Sequence, residues 1–178
     1  MSLTRIVTKI HDNIDARLCF AHAFNYQGFI DVVLKGLVTR NGGPLPNNLW
    51  GNPPGLQPLP FDLVKARAHC DKARAAGAPL GREIELHTLA NLDQTIQAAQ
   101  MFQADLRRVG VSVKIVPDTM ANIVTGAARA ETTPDMWIHW ISAYFIDPEN
   151  WIGQMYDSRF HGTWKASAWY TNPKVDDL

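Results

Sequence analysis

Residues 82–116 read REIELHTLANLDQTIQAAQMFQADLRRVGVSVKIV, and the pattern of this stretch predicts two strands joined by a helix. Its first eight residues alternate polar and apolar side chains, which predicts a β-strand over 82–89 with one solvated face. Between 93 and 108 apolar side chains recur at steps of three and four, the pattern of a helix with one buried face. A glycine is expected to end that helix, and the β-branched run 111–116 predicts a second strand that Pro117 closes.

The elements on either side continue the same alternation. Asp62 is expected to cap a helix that runs to residue 76, and residues 120–130 predict a shorter helix. Residues 135–142 predict a third strand, which is central in its sheet because it carries bulky side chains on both faces. Strand, helix, strand, helix and strand with short joins form a parallel βαβαβ unit with right-handed crossovers. The predicted fold class is therefore α/β, a parallel or mixed sheet flanked by helices.

The first part of the chain adds a strand and two helical segments. Residues 3–10 predict the strand, and Asp12 or Asn13 is placed to cap a helix that runs to about Phe24. A second helical piece is expected over 29–34.

Residues 36–61 form a proline-rich arm. They hold six of the eleven prolines, a density that neither a helix nor a central strand survives. We expect an ordered arm rather than an interdomain linker, because five large apolar side chains are able to anchor it: Leu45, Leu49, Trp50, Leu56 and Leu59. Loops of this length are uncommon inside a domain and are often functional.

The composition argues against several classes of function. The chain has 178 residues, and 17 Lys and Arg balance 17 Asp and Glu, so its formal net charge is zero. This balance argues against a nucleic-acid binder and against a polybasic membrane clamp. No apolar run reaches the ~18 residues of a membrane span, and residues 1–5 lack the features of a signal peptide. Cys19 and Cys70 both lie in apolar helical stripes, so two buried free thiols are favoured over a disulfide.

No local sequence motif indicates a catalytic site. Glu83, Glu85 and His87 share one strand face, where two carboxylates and an imidazole are able to hold a metal. A solvated strand face is the favoured interpretation, because no further Cys or His lies at ligand spacing nearby. The chain has no Gly-x-Ser-x-Gly turn, no phosphate-binding glycine loop and no His-Glu-x-x-His motif. We therefore assign no catalytic residue, no metal and no cofactor.

Aromatic residues gather near the predicted carboxyl end of the third strand, where parallel sheets bind their ligands. Trp137 is best explained as core, whereas Trp140 and Tyr144 lie where a crevice is expected. Asp147 followed by Pro148 is a helix start. A helix N-terminus at the rim is able to attract a ligand carboxylate, although a simple helix cap is the favoured interpretation of Asp147.

Four stretches, in order, carry a resemblance to a known family. They are 15–25 (DARLCFAHAFN), 61–77 (FDLVKARAHCDKARAAG), 102–111 (FQADLRRVGV) and a closing stretch that joins 140–148 (WISAYFIDP) to 172–178 (NPKVDDL). Each motif alone is modest, but their order over nearly the whole chain resembles the periplasmic solute-binding proteins of ABC importers, dipeptide/oligopeptide type (family 5).

The resemblance implies a fold and a function. Members of the family close two lobes on a solute and deliver it to the membrane permease of the importer. Residues 1–178 would then be a single ligand-binding lobe, the C-terminal one, of a type II periplasmic-binding-protein fold. The chain would be a fragment whose missing amino-terminal part carries the signal peptide of a periplasmic protein. The resemblance implies no catalysis and no cofactor.

The resemblance also implies where the solute binds. The expected ligand-binding residues are Trp140, Ser142, Ala143, Tyr144 and Asp147. Peptide binders of the family place an acidic residue shortly after the tryptophan, where it holds the α-amino group of the ligand. The matching position here is Ala143, and an ammonium buried without a carboxylate is costly. Peptides with a free amino end are therefore not the expected solute.

Two other functions compete with this interpretation. A small α/β hydrolase would place a polar triad or a metal cluster at the same strand ends. A protein-interaction module would use the arm, and it would expose Leu49, Trp50 and Leu56, which a binding lobe is expected to pack.

Overall fold

A four-stranded mixed sheet organises the chain in the computed structural model, which describes residues 3–6 (backbone only), 13–138, 140–142 and 144–177. The strands are β1 (Leu3–Ile6), β2 (Ile84–Leu89), β3 (Val113–Asp118) and β4 (Met136–Ile138). Their order is β1-β4-β2-β3; β2 is parallel to β3 and β4, and β1 is antiparallel to β4. The parallel βαβαβ unit and the central position of the third strand are confirmed, but that strand is shorter than the predicted 135–142, since it is Met136–Ile138 and residues 140–142 are not in a strand. Residues 7–10 of the first predicted strand lie outside the described residues.

The helices begin close to the predicted caps. They are α1 (Ile14–Ala23), α2 (Tyr26–Gly28), α3 (Leu63–Ala75), α4 (Asp93–Arg108), α5 (Met120–Ala127), α6 (Gly153–Tyr156) and α7 (Pro173–Asp176). Asn13 caps α1 by accepting from the Ala16 amide at 3.0 Å. Asp62 caps α3 by accepting from the amides of Val64 and Lys65, both at 3.0 Å. The helical piece expected over 29–34 is a π-helical segment, Phe29–Val33, that follows α2 directly.

The prediction that Pro117 closes the second strand is wrong. β3 begins two residues later than expected and continues through Pro117, which pairs with Thr88, to Asp118. Proline lacks an amide hydrogen, and β3 is an edge strand, where one side of the backbone has no strand to pair with. The sequence pattern does not reveal which strand is at the edge.

The main core lies between one sheet face and the helices. Leu86 of β2 and Met136 of β4 lie side by side in register, and both are buried. α4 packs on β2, β3 and β4, whereas α1 lies between α4 and α3. The ring of Phe102 meets those of Phe20 and Phe24 edge-on, with centroids 6.3 and 5.5 Å apart. The periodic stripe of α4 therefore anchors the helical layer to the sheet.

The anchoring of the arm differs from the prediction. Of the five apolar side chains expected to pack, Leu45 and Leu49 are buried, whereas Trp50 is 63% exposed and Leu56 and Leu59 are more than 40% exposed. Polar contacts hold the end of the arm instead. The ring of His22 donates to the Pro60 carbonyl at 2.8 Å, and the Asp62 amide donates back to the His22 carbonyl at 2.9 Å.

The prediction of two free thiols is also wrong. Cys19 of α1 and Cys70 of α3 are fully buried, as expected, but they form a disulfide. Their Cα atoms are 5.1 Å apart, within the range that a disulfide spans. The two residues are 51 positions apart in the chain, so only the packing of α1 on α3 brings them together.

Replacing both cysteines, Cys19→Ala with Cys70→Ala, is expected to lower the free energy of unfolding by about 2–4 kcal/mol. The disulfide closes a long loop and restricts the unfolded chain. Urea denaturation followed by circular dichroism measures the loss. Val64→Ala, at an exposed position of α3, is the control and is expected to change the free energy of unfolding by no more than ~0.5 kcal/mol. Equal midpoints for the parent and the double variant would contradict the prediction.

Candidate functional site

The strand-end loop, residues 140–147, follows β4 and contains every residue that the sequence nominated for ligand binding. Trp140 is half-buried against the main core, and Ser142 is exposed. Tyr144 is 68% and Ile146 is 81% exposed. Ala143 lies outside the described residues. Burial of both Trp140 and Tyr144 would have contradicted the site, and it is not observed; the assignment of these residues to a ligand stays a prediction.

Trp137, assigned to the core from the sequence, is buried beneath the loop. It lies on the sheet face opposite Met136, and its indole Nε1 donates to the Ser167 hydroxyl at 3.3 Å. Its ring also meets Trp164 edge-on at 6.1 Å. The carboxyl-terminal segment therefore covers this face of β4 and fixes where the loop begins.

A buried amide supports the strand-end loop from below. Asn150 is fully buried, and its Nδ2 donates to the carbonyl of Ser142 at 3.1 Å. Its Oδ1 accepts from the ammonium of Lys165 at 3.4 Å. Asp147 accepts from the Glu149 amide at 2.9 Å, so its carboxylate serves as an N-cap. The element that it caps is a single 3₁₀ turn, Pro148–Asn150, which is too short to provide the aligned dipole of an anion site.

Lys165 lies against the strand-end loop, and the sequence analysis missed this contact. Its ammonium lies 5.0 Å from the centre of the Tyr144 ring and donates to the side chain of Gln154. Burial lowers the pKa of Lys165, and the charge of Glu149 acts in the opposite direction. The residue stands in an irregular segment far along the chain, so no pattern linked it to Tyr144.

A cavity of about 400 Å³, the arm pocket, opens beside the loop. It was also missed, because its walls come from three separate parts of the chain. Those walls include Tyr26, Phe29 and Arg40 from the first part, and Ile141, Trp151 and Tyr156 from the loop and the segment after it. Among the described residues that line the pocket, Arg40 alone is charged at neutral pH.

Arg40 is held against an aromatic ring in this pocket. Its Cζ lies 3.5 Å from the centre of the Tyr26 ring, and its Nη2 donates to the carbonyl of Leu59. Burial raises the pKa of Tyr26, although the charge of Arg40 acts to lower it. The phenol therefore stays neutral, and the guanidinium is the ionic group of the pocket.

The face that carries Glu85 and His87 forms ion pairs within the sheet. The Glu85 carboxylate accepts from Lys114 at 3.0 Å, which holds the pKa of Glu85 below its usual range. His87 Nδ1 and Asp118 Oδ2 are 3.0 Å apart. Within the described ranges no Ser or Thr hydroxyl bonds to His87, and no group of three potential metal ligands occurs.

Residues 4–162 match the family model described as bacterial extracellular solute-binding proteins, family 5 Middle. The chain belongs to this family. The match spans the four stretches of resemblance apart from residues 172–178, and it includes the whole strand-end loop. Di/tripeptide-binding protein 1 of Pseudomonas aeruginosa (strain UCBPP-PA14) is 28% identical over 156 residues, 85% of this chain and 28% of that protein.

Solved structures of periplasmic binding proteins share the fold of this chain. DppA from Helicobacter pylori, a periplasmic binding protein in complex with the peptide STSA, has a TM-score of 0.81 and 23% identity, covering 98% of this chain and 34% of that one. NikA from Brucella suis, in complex with Fe(III)-EDTA, has a TM-score of 0.78 and 23% identity, covering 98% and 36%. The α/β fold of type II periplasmic binding proteins is thereby confirmed. The chain spans less than a third of the length of the curated relatives that it matches.

Replacing Asn150 with alanine is expected to loosen the strand-end loop. Asn150→Ala removes the donor to Ser142 and an acceptor for Lys165, and it should lower the free energy of unfolding by about 1–3 kcal/mol. Hydrogen exchange should become faster at the amides of 144–147. Asn91→Ala, at an exposed position, is the control and should change neither quantity. Unchanged exchange in Asn150→Ala would show that the amide does not hold the loop.

Proposed function

We propose that this chain is one ligand-binding lobe of the solute-binding component of an ABC transport system. The whole protein would capture a peptide or a related small solute between two lobes and deliver it to the permease. Membership of family 5 supports this role. The observation that carries it is the exposed aromatic surface of the strand-end loop, since ligands of parallel sheets bind outside the carboxyl ends of the strands.

The hydrolase alternative is not supported. Its strand ends would need a triad or a metal cluster, and the described residues near the strand-end loop offer an exposed aromatic surface and a buried amide instead. The relatives are named as binding proteins. A protein that binds its solute without changing it fits both observations.

The partners and the compartment follow from the same proposal. Family 5 proteins are described as extracellular, and the H. pylori relative as periplasmic and associated with an ABC transporter. We place the whole protein in the periplasm, with a permease as its membrane partner. The buried Cys19–Cys70 disulfide fits an oxidising compartment. No helix of the described residues is both long and apolar enough to cross a bilayer.

The class of solute is narrowed by residue 143. The relatives bind different solutes, since one is named for di- and tripeptides and another was solved with an iron chelate. Ala143 offers no carboxylate for an α-amino group. A peptide with a blocked or absent amino end, or another solute without an ammonium, is therefore the favoured cargo. Native mass spectrometry of the intact protein as purified tests this directly by giving the mass of the bound solute.

The isolated chain is expected to fold but to bind its solute weakly. A good small-molecule site buries ~70–90% of the ligand surface, and one lobe of a two-lobe trap supplies about half of such contacts. Each tenfold step of affinity is ~1.4 kcal/mol, so a solute held at ~1 μM by the intact protein should fall to the millimolar range. Calorimetric titration of the chain and of the intact protein with the identified solute measures both. Equal dissociation constants would show that the whole solute site lies within this chain.

Replacing Ala143 with aspartate is expected to create a site for a free amino end. Ala143→Asp should raise the affinity of the intact protein for a dipeptide such as Ala-Phe by ~10–100-fold, the effect of one charge-assisted hydrogen bond. Ala143→Asn, which has the same shape without the charge, is the matched control. N-acetyl-Ala-Phe should gain nothing in either variant. Equal gains for the two peptides would show that residue 143 does not meet the amino end.

A further inference from the structure

We propose that the arm pocket binds the carboxylate-bearing apolar end of the solute, with Arg40 as its anion-binding group. This inference deepens the proposed function and rests on it in one respect, namely that the solute enters from the strand-end loop. Ile141 makes the connection, because it lines the pocket and stands between Trp140 and Ser142 in the loop.

The pocket has the size and the walls of a ligand site. Its volume of about 400 Å³ lies within the ~300–1,000 Å³ that small-molecule sites occupy. Tyr26, Phe29, Trp151 and Tyr156 provide aromatic surface on its walls. Such walls favour an apolar or aromatic body, which stacks on them and is removed from water.

The charge of the pocket selects the sign of the ligand. Arg40 is its single charged lining residue among those described, and neither Asp nor Glu lines it. A carboxylate is able to pair with a guanidinium through two parallel hydrogen bonds, whereas an ammonium would be repelled by the charge of Arg40. A preference for an anionic group agrees with residue 143, where alanine supplies no carboxylate for an ammonium. Ala143 itself lies outside the described residues.

The guanidinium is held in place before a ligand arrives. It stacks 3.5 Å above the Tyr26 ring, and one of its nitrogens donates to the carbonyl of Leu59. A guanidinium has five N–H donors, so hydrogens beyond those used by the Leu59 carbonyl and the Tyr26 hydroxyl stay available to an acceptor. A side chain that is already ordered loses less conformational entropy when it binds.

The arm also keeps its shape through close backbone packing. A Cβ atom placed on Gly42 would lie 2.1 Å from the carbonyl oxygen of Leu56, so only glycine allows the two parts of the arm to approach this closely. The Asn47 side chain bridges the turn by donating to the Arg40 carbonyl at 3.1 Å. Both contacts fix the backbone that presents Arg40 to the pocket.

Three probes that share one side chain test the proposal on the 178-residue chain. They are N-acetyl-phenylalanine, which is anionic, N-acetyl-phenylalaninamide, which is neutral, and phenylalaninamide, which is cationic. Binding is followed by chemical shift changes of the Trp151 indole and of the Arg40 side chain, a readout that detects millimolar affinity. The anionic probe should bind about tenfold or more tightly than the neutral one, and the cationic probe more weakly than both.

Variants assign the preference to Arg40. Arg40→Gln should bring the anionic and neutral probes to the same dissociation constant, and Arg40→Lys should keep part of the preference. Arg107→Gln, which removes an exposed arginine of α4, is the matched control and should leave the preference unchanged. Circular dichroism of each variant confirms that the fold is intact. Equal binding of the three probes, or a preference that survives Arg40→Gln, would overturn the proposal.

The outcome is separable from that of the proposed function. Arg40-dependent binding of the anionic probe, in a protein that carries no solute and supports no uptake, would leave the pocket standing and reject the transport role. A solute identified in the intact protein that lacks an acidic group, together with no preference among the probes, would reject the pocket and leave the transport role intact.

Discussion

Pairing of the short strand β4 on both of its sides holds the sheet together. β4 has only three residues among those described, Met136–Ile138, yet it joins β2 in parallel and β1 in antiparallel fashion. β2 pairs with β3 on its other side, so β4 and β2 are the two central strands of the sheet. The chain leaves β4 at the end of the sheet where the parallel strands β2 and β3 also end, and the strand-end loop forms there.

A second constraint joins the helices to one another rather than to the sheet. The Cys19–Cys70 disulfide joins α1 to α3, and the capping residues at the start of each helix fix where they begin. The end of the arm is held by α1, since the His22 ring of that helix donates to the Pro60 carbonyl. The arm is therefore held at its far end by covalently stabilised helices, and this allows a segment rich in proline and glycine to form a wall of a pocket.

The strand-end loop and the arm pocket each have a positively charged side chain beside an aromatic ring. Lys165 lies against Tyr144 of the strand-end loop, and Arg40 lies against Tyr26 in the arm pocket. In each case a cation rests on an aromatic ring, an arrangement that is favourable when both groups are partly removed from water. Both cations lie beside the proposed solute site, where the strand-end loop also carries the carboxylate of Asp147. The exposed Tyr144 and Ile146 give the same region an apolar surface that a closing lobe or a solute is able to cover.

The βαβαβ unit, the cap at Asp62 and the family were predictable from the sequence alone, and the first cap was narrowed to Asp12 or Asn13. These depend on local signals, because the period of apolar residues and the chemistry of a cap are written within a few neighbouring positions. Tertiary structure decided the rest. The edge position of β3 made Pro117 acceptable within a strand, and the packing of α1 on α3 turned two expected thiols into a disulfide. Arg40 and Trp151 meet in one pocket although they are far apart in the chain, because the fold of the arm sets their distance and no sequence period does.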